Sequence, residues 1–97
     1  MGPIRDDAVK AAVAAAVLEA LAHPVRLQLV ALLCQEETGA GVLAERLGLP
    51  LRTVSWHLRV LCEEQLVGLV EGPGRPHYHI IEPALHGLVA CTEEWTR

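Results

Sequence analysis

The feature that most restricts the fold is a three-residue break, Gly48-Leu49-Pro50, lying between two stretches patterned at helical spacing. Upstream, Val42, Leu43 and Leu47 mark a short helix, and Gly48 is the residue type favoured just past a helix end. Downstream, the stretch from Leu51 to Leu61 divides into two faces. Val54, Leu58, Leu61 and Cys62 fall on one side, and Arg52, Ser55, Trp56 and Arg59 on the other. Two helices joined this tightly must cross closely, which suits the small Ala44 before the bend and the apolar Val54 after it. One face of the second helix therefore packs. The other displays two guanidinium forks, a hydroxyl and an indole, groups matched to phosphate oxygens and base edges.

The rest of the chain is built around this pair. Asp6 or Asp7 can cap a first helix running to Leu21, with Val9, Val13, Val17 and Leu21 at steps of four and Ala between them. His23-Pro24 ends that helix, and Pro24 opens a second, to about Gln35, apolar on nearly all sides and so expected at the centre of the core. Glu36 to Gly41 reads as a loop. After the display helix, the stretch from Leu66 to Glu71 leans toward strand. Gly72-Pro73-Gly74-Arg75-Pro76 is a turn, and His77 to Ile81 alternates into a second strand, making a β-hairpin. Pro83 starts a last helix with Leu85, Leu88, Val89, Thr92 and Trp95 along one stripe.

Composition narrows the choice. The 97 residues suffice for one domain, with 52% hydrophobic residues but only 3% aromatic and no Phe, so the core must be assembled from Leu, Val, Ile and Ala in close-packed helices. A core so poor in aromatics would gain from a second subunit covering the leftover apolar helix faces. The formal charge of −4 excludes a nonspecific nucleic-acid coat, yet residues 41–62 carry net +2 and residues 72–79 net +1, leaving −7 elsewhere. Positive charge thus coincides with the display helix and the hairpin. Three cysteines, an odd number, with no signal-peptide pattern and no long apolar run, point to a reducing cytoplasm and no membrane span. No nucleophile–base pair or phosphate loop points to an enzyme.

The order helix, helix, helix-turn-helix, hairpin, helix resembles the ArsR/SmtB family of winged-helix repressors over nearly the whole chain. Two segments carry the likeness: Leu21-Ala22-His23-Pro24-Val25-Arg26-Leu27, similar to the family's opening signature, and Val54-Ser55-Trp56-His57-Leu58-Arg59-Val60-Leu61, similar to its recognition helix. The expected architecture is mainly α with a small β-hairpin, a single winged helix-turn-helix domain over residues 1–97. Residues 41–65 would form the helix-turn-helix, 66–81 the wing, and 6–21 and 83–96 the dimerisation helices. The resemblance implies a homodimer joined through its first and last helices, bound to a palindromic double-stranded operator and released by an effector. A two-fold dimer would set two display helices about 34 Å apart, one DNA turn, each in a major groove.

The candidate DNA-contacting set is Arg52, Thr53, Ser55, Trp56, His57 and Arg59 on the helix and Arg75 at the wing tip. Arg52 and Arg59 have a plainer alternative as surface arginines paired with Glu45 or Glu63. Trp56 could fold back into the core, and Arg75 could be a solvated turn charge. His57 lies between the two faces and reads equally as a hydrogen-bonded, half-buried histidine or as a phosphate contact.

For the effector, the resemblance leaves two classes open. The closely spaced cysteines of arsenic-type members are absent here. Zinc-type members place ligands on the last helix, a pattern that Glu82, His86, Glu93 and Glu94 imitate in part. His77 and His79 alternate onto one face of a wing strand, so His77, His79, His86 and Glu93 are the metal candidates, for zinc or nickel. Redox-sensing members pair a cysteine on the second helix with one on the last. Cys34 and Cys91 offer that pairing, although Cys34 falls about one turn after the family position, occupied here by Ala31. A second functional class is a winged helix that binds protein instead of DNA, using Trp56 and the acidic remainder. A metal buffer is disfavoured by the lack of any tight ligand cluster in the sequence.

Overall fold

The computed structural model describes residues 2–97. A short 3-10 turn, Ile4–Asp6, precedes α1 (Ala8–Leu21), α2 (Pro24–Gln35), α3 (Ala40–Leu47), α4 (Leu51–Glu63), the hairpin β1 (Val67–Val70) and β2 (His77–Ile80), and α5 (Ala84–Trp95). The N-cap of α1 is Asp7, whose carboxylate accepts from the Lys10 amide at 2.9 Å. Asp6 is taken up by the preceding turn, so of the two candidate caps it is Asp7 that starts the helix.

At the α1–α2 junction the chain turns by 90°. His23 is extended there and its Nδ1 accepts from the Val25 amide, while Pro24, lacking an N–H, fits the first turn without leaving a donor unsatisfied. The second helix packs against α1, α4, α5 and β2, the central position its apolar surface predicts. Leu29 and Val30 of α2, Leu43 of α3, and Val54, Leu58 and Leu61 of α4 are wholly or almost wholly withdrawn from solvent, joined by Val67 of the hairpin. Each such side chain contributes about 1.5–3 kcal/mol of transfer free energy, so the bend between α3 and α4 is held mainly by this shared core.

The loop expected through Gly41 ends sooner. Extended Gly39 caps α3, and its carbonyl accepts from the Leu43 amide, which draws Ala40 and Gly41 into the first helical turn. At the other end Gly48 has φ 65°, a left-handed conformation that closes α3 and redirects the chain into α4. The hairpin is antiparallel, pairing Val67 with Ile80, Gly68 with His79, Leu69 with Tyr78 and Val70 with His77. A hydrogen bond from the Ile81 amide to the Leu66 carbonyl extends its base, whereas Glu71 belongs to the turn. Thr38 adds a single β-bridge: its carbonyl accepts from the Tyr78 amide at 2.8 Å and ties the hairpin to the segment before α3. Among the described residues no single helix is long and apolar enough to cross a membrane.

Candidate nucleic-acid interface

The two faces of α4 separate as their spacing requires. Val54, Leu58 and Leu61 are sealed in the core; Arg52, Ser55, Trp56 and Arg59 are exposed, Trp56 by 56%. Among the described residues no carboxylate lies within ion-pair distance of Arg52 or Arg59, so pairing with Glu45 or Glu63 does not occupy them. Thr53 is half-buried beside this face. Pro50 supplies the start of the helix: its carbonyl accepts from the Thr53 and Val54 amides, fixing the first turn without a capping side chain.

The wing and α4 enclose a groove of about 820 Å³ whose walls include Ser55, Leu51, Val42, Tyr78 and Arg75. The fold therefore brings the wing-tip arginine and the helix hydroxyl onto one concave surface, 20 residues apart in sequence. Glu37 and Glu45 also line it and give it one acidic border. On the other side of Ser55 a second groove, about 530 Å³, is bordered by Arg59, Cys62 and Gly68. Ser55 thus stands on the ridge between two grooves, with Arg59 on one flank and Arg75 on the other.

His57 departs from the expected DNA-contacting set. Only 7% of its surface is accessible, and it sits beneath α4, where no phosphate could reach it. Its Nδ1 lies 3.3 Å from Arg26 Nη1, and its ring is 4.3 Å from that of His23 at a tilt of 44°. Arg26 in turn donates through Nε to the Ala20 carbonyl at the end of α1. Burial, then the neighbouring His23 and Arg26, lower the His57 pKa below its ordinary value. Sequence reasoning noted His23 and Arg26 only as parts of a signature. Arg26 lies 31 residues before His57 and His23 lies further back still, so these contacts leave no trace in local periodicity.

The metal candidates are dispersed. His77 approaches Glu37 at 3.8 Å, and His79 keeps a buried Nδ1 with no partner. His86 borders a cavity of about 230 Å³ with Cys34 and Ile80, whereas Glu93 lines a separate groove between α2 and α5. Among the described residues no three His, Cys, Asp or Glu side chains converge, so these residues do not fit a metal ion within one chain. Cys34, Cys62 and Cys91 are free thiols. Cys34 is half-buried and burial pushes its thiol pKa up, opposite to what a reactive thiolate needs, while Cys91 is exposed.

Comparison with known proteins follows this geometry closely. A family model described as a helix-turn-helix domain matches residues 21–72, from the end of α1 to the wing. The transcriptional repressor BigR from Xylella fastidiosa is 31% identical, with 93% of this chain and 89% of that one aligned at a TM-score of 0.79. Mb0332 from Mycobacterium bovis, described as a homodimeric winged helix-turn-helix DNA-binding domain and a possible ArsR-family transcriptional regulator, is 30% identical. It aligns over 92% of this chain and 82% of its own at a TM-score of 0.80. The chain belongs to the ArsR/SmtB family. Reduced HlyU from Vibrio cholerae is a further similar structure, 26% identical over 89% of this chain and 90% of that one, at a TM-score of 0.81. Among curated protein sequences none matches. As an ArsR/SmtB winged-helix protein the chain is a DNA-binding transcriptional regulator, and α4 lies within the matched helix-turn-helix segment.

Proposed function

We propose that this regulator acts as a homodimeric repressor that holds a palindromic operator through α4 and the wing and lets go when an effector binds. The carrying observation is the display face of α4, where Arg52, Ser55, Trp56 and Arg59 stand exposed and unpaired directly above a sealed core. Their donors suit phosphates and guanine edges, and Trp56 offers a flat apolar surface to a sugar or a thymine methyl. Dimerisation is supported by what one chain leaves uncovered: Val9 is 76% and Val13 62% exposed on α1, and Trp95 is 74% exposed on α5. The radius of gyration, 14.4 Å, also exceeds the roughly 13 Å of a compact chain of this length. Mb0332 is homodimeric and BigR is a repressor, which agrees with this reading.

The test is the double change Arg52→Ala with Arg59→Ala. Operator affinity should fall by at least about 2–6 kcal/mol in total, two contacts at roughly 1–3 kcal/mol each, with the dimer intact by sedimentation. Undiminished binding would remove α4 from the interface and favour a protein-binding winged helix. Zinc, nickel and an oxidant, added separately to the preformed complex, distinguish a metal from a redox effector, and the one that releases DNA names the class.

A further inference from the structure

We propose that His57 is a positioning residue of the recognition helix, locked from below by Arg26 and His23, and that protonation of His57 unlocks α4 and lowers DNA affinity. The inference rests on the DNA-binding reading of α4 and extends it to regulation by protons.

Three elements meet at the imidazole. From α2 comes Arg26, from the α1–α2 corner comes His23, and from the end of α1 the Ala20 carbonyl receives the Arg26 Nε–H. Within α4 the flanking Thr53, Val54, Val60 and Leu61 carry no charge. Among the described residues no carboxylate pairs with any member of the cluster, and the only charged or titratable groups that act on His57 are His23 and Arg26.

Hydrogen-bond roles make this arrangement one-sided. Arginine is only a donor, so the contact at 3.3 Å requires His57 Nδ1 to accept, placing the ring's single proton on Nε2. A second proton must go onto Nδ1. It turns the acceptor into a donor facing a donor and sets a new positive charge beside a permanent guanidinium, in a site 7% accessible to water. His23 Nδ1 accepts from the Val25 amide, which fixes the ring that lies against His57. The strain falls on the joint between α4 and the α1–α2 corner, where His57 meets His23 and Arg26.

The sign of the effect distinguishes it from generic electrostatics. His77, His79 and His86 are half-buried or exposed, and gaining charge on any of them would strengthen attraction to a polyanion. Loss of affinity on acidification therefore reports the buried His57.

The experiment uses the full chain and a duplex enriched by it from a random-sequence library near pH 7.5. Affinity is measured by fluorescence anisotropy at constant ionic strength from about pH 8 to about pH 5. The unmodified protein should lose affinity as pH falls, by up to about tenfold per pH unit, the slope of one linked proton. His57→Asn, whose Oδ1 can still accept from Arg26, should abolish that loss while binding normally at the alkaline end. Affinity that stays level or rises on acidification, or an acid loss that persists in His57→Asn, overturns the proposal. An NMR titration of the unmodified protein without DNA covers the case in which His57→Asn fails to fold. The His57 ring and the α4 amides should then shift with one midpoint, and a ring that titrates while α4 stays still overturns it. Failure to enrich any duplex counts against the DNA-binding reading alone, since the NMR arm needs no DNA.

Discussion

Gly48 and His57 show how much a single position can decide in this fold. With φ 65°, Gly48 occupies a backbone region that costs a residue bearing a Cβ about 1–2 kcal/mol, although a Cβ there would meet nothing within 4 Å. Gly48→Ala should therefore lower stability by about that amount in urea unfolding, through the backbone alone, and a neutral result would show that the α3–α4 turn can relax. For His57 the prediction is a pH profile. Its pKa is depressed in the folded state, so the unfolded chain binds the proton more readily. The stability it contributes is complete above the unfolded value, about 6.5, and is lost as pH falls through the lower folded value. Urea midpoints should decline over that interval, and His57→Asn should flatten the decline. Gly48 was legible from sequence because a turn demands a residue type locally. For His57 the sequence left a hydrogen-bonded, half-buried role and a phosphate contact equally open, because the groups that bury it belong to α2 and the preceding corner.

At the scale of elements, α4 was the most readable part, since a 3.6-residue period assigns every side chain to a face once the helix is granted. Boundaries were less readable where capping departs from the preferred residues: Gly39 and Pro50 both start helices without a side-chain hydrogen bond. The wing was legible as two strands and a turn. Its attachment to Thr38 was not, because one β-bridge has no alternating pattern of its own. The position of Arg75 on the groove shared with Ser55 makes a separate prediction for the wing. Arg75→Ala should weaken operator binding similarly for all sequences and reduce the slope of log affinity against log salt by about one, the mark of a lost phosphate contact. An unchanged slope would leave Arg75 as a solvated turn charge.

For the molecule as a whole, the sequence pattern anticipated apolar terminal helices and an acidic body with positive charge gathered at α4 and the wing. It could not show how far those helices lie outside the core, which depends on the 90° corner between α1 and α2. Val13 and Trp95 are the places to test the consequence. Val13→Glu with Trp95→Glu should convert a dimer to a monomer in sedimentation with the helical content retained, and operator affinity should fall because one recognition helix then binds alone. A dimer that survives both charges would locate its interface elsewhere. The Thr38–Tyr78 bridge, finally, separates aim from reach. Because β2 is moored at Tyr78, one pair below the turn, to the segment that leads into α3, residues 71–76 can lengthen, shorten or change composition while the strands beneath them keep their direction. Related regulators could therefore diverge in how much flanking DNA they touch by altering only this tip, without re-aiming the helix that reads the bases.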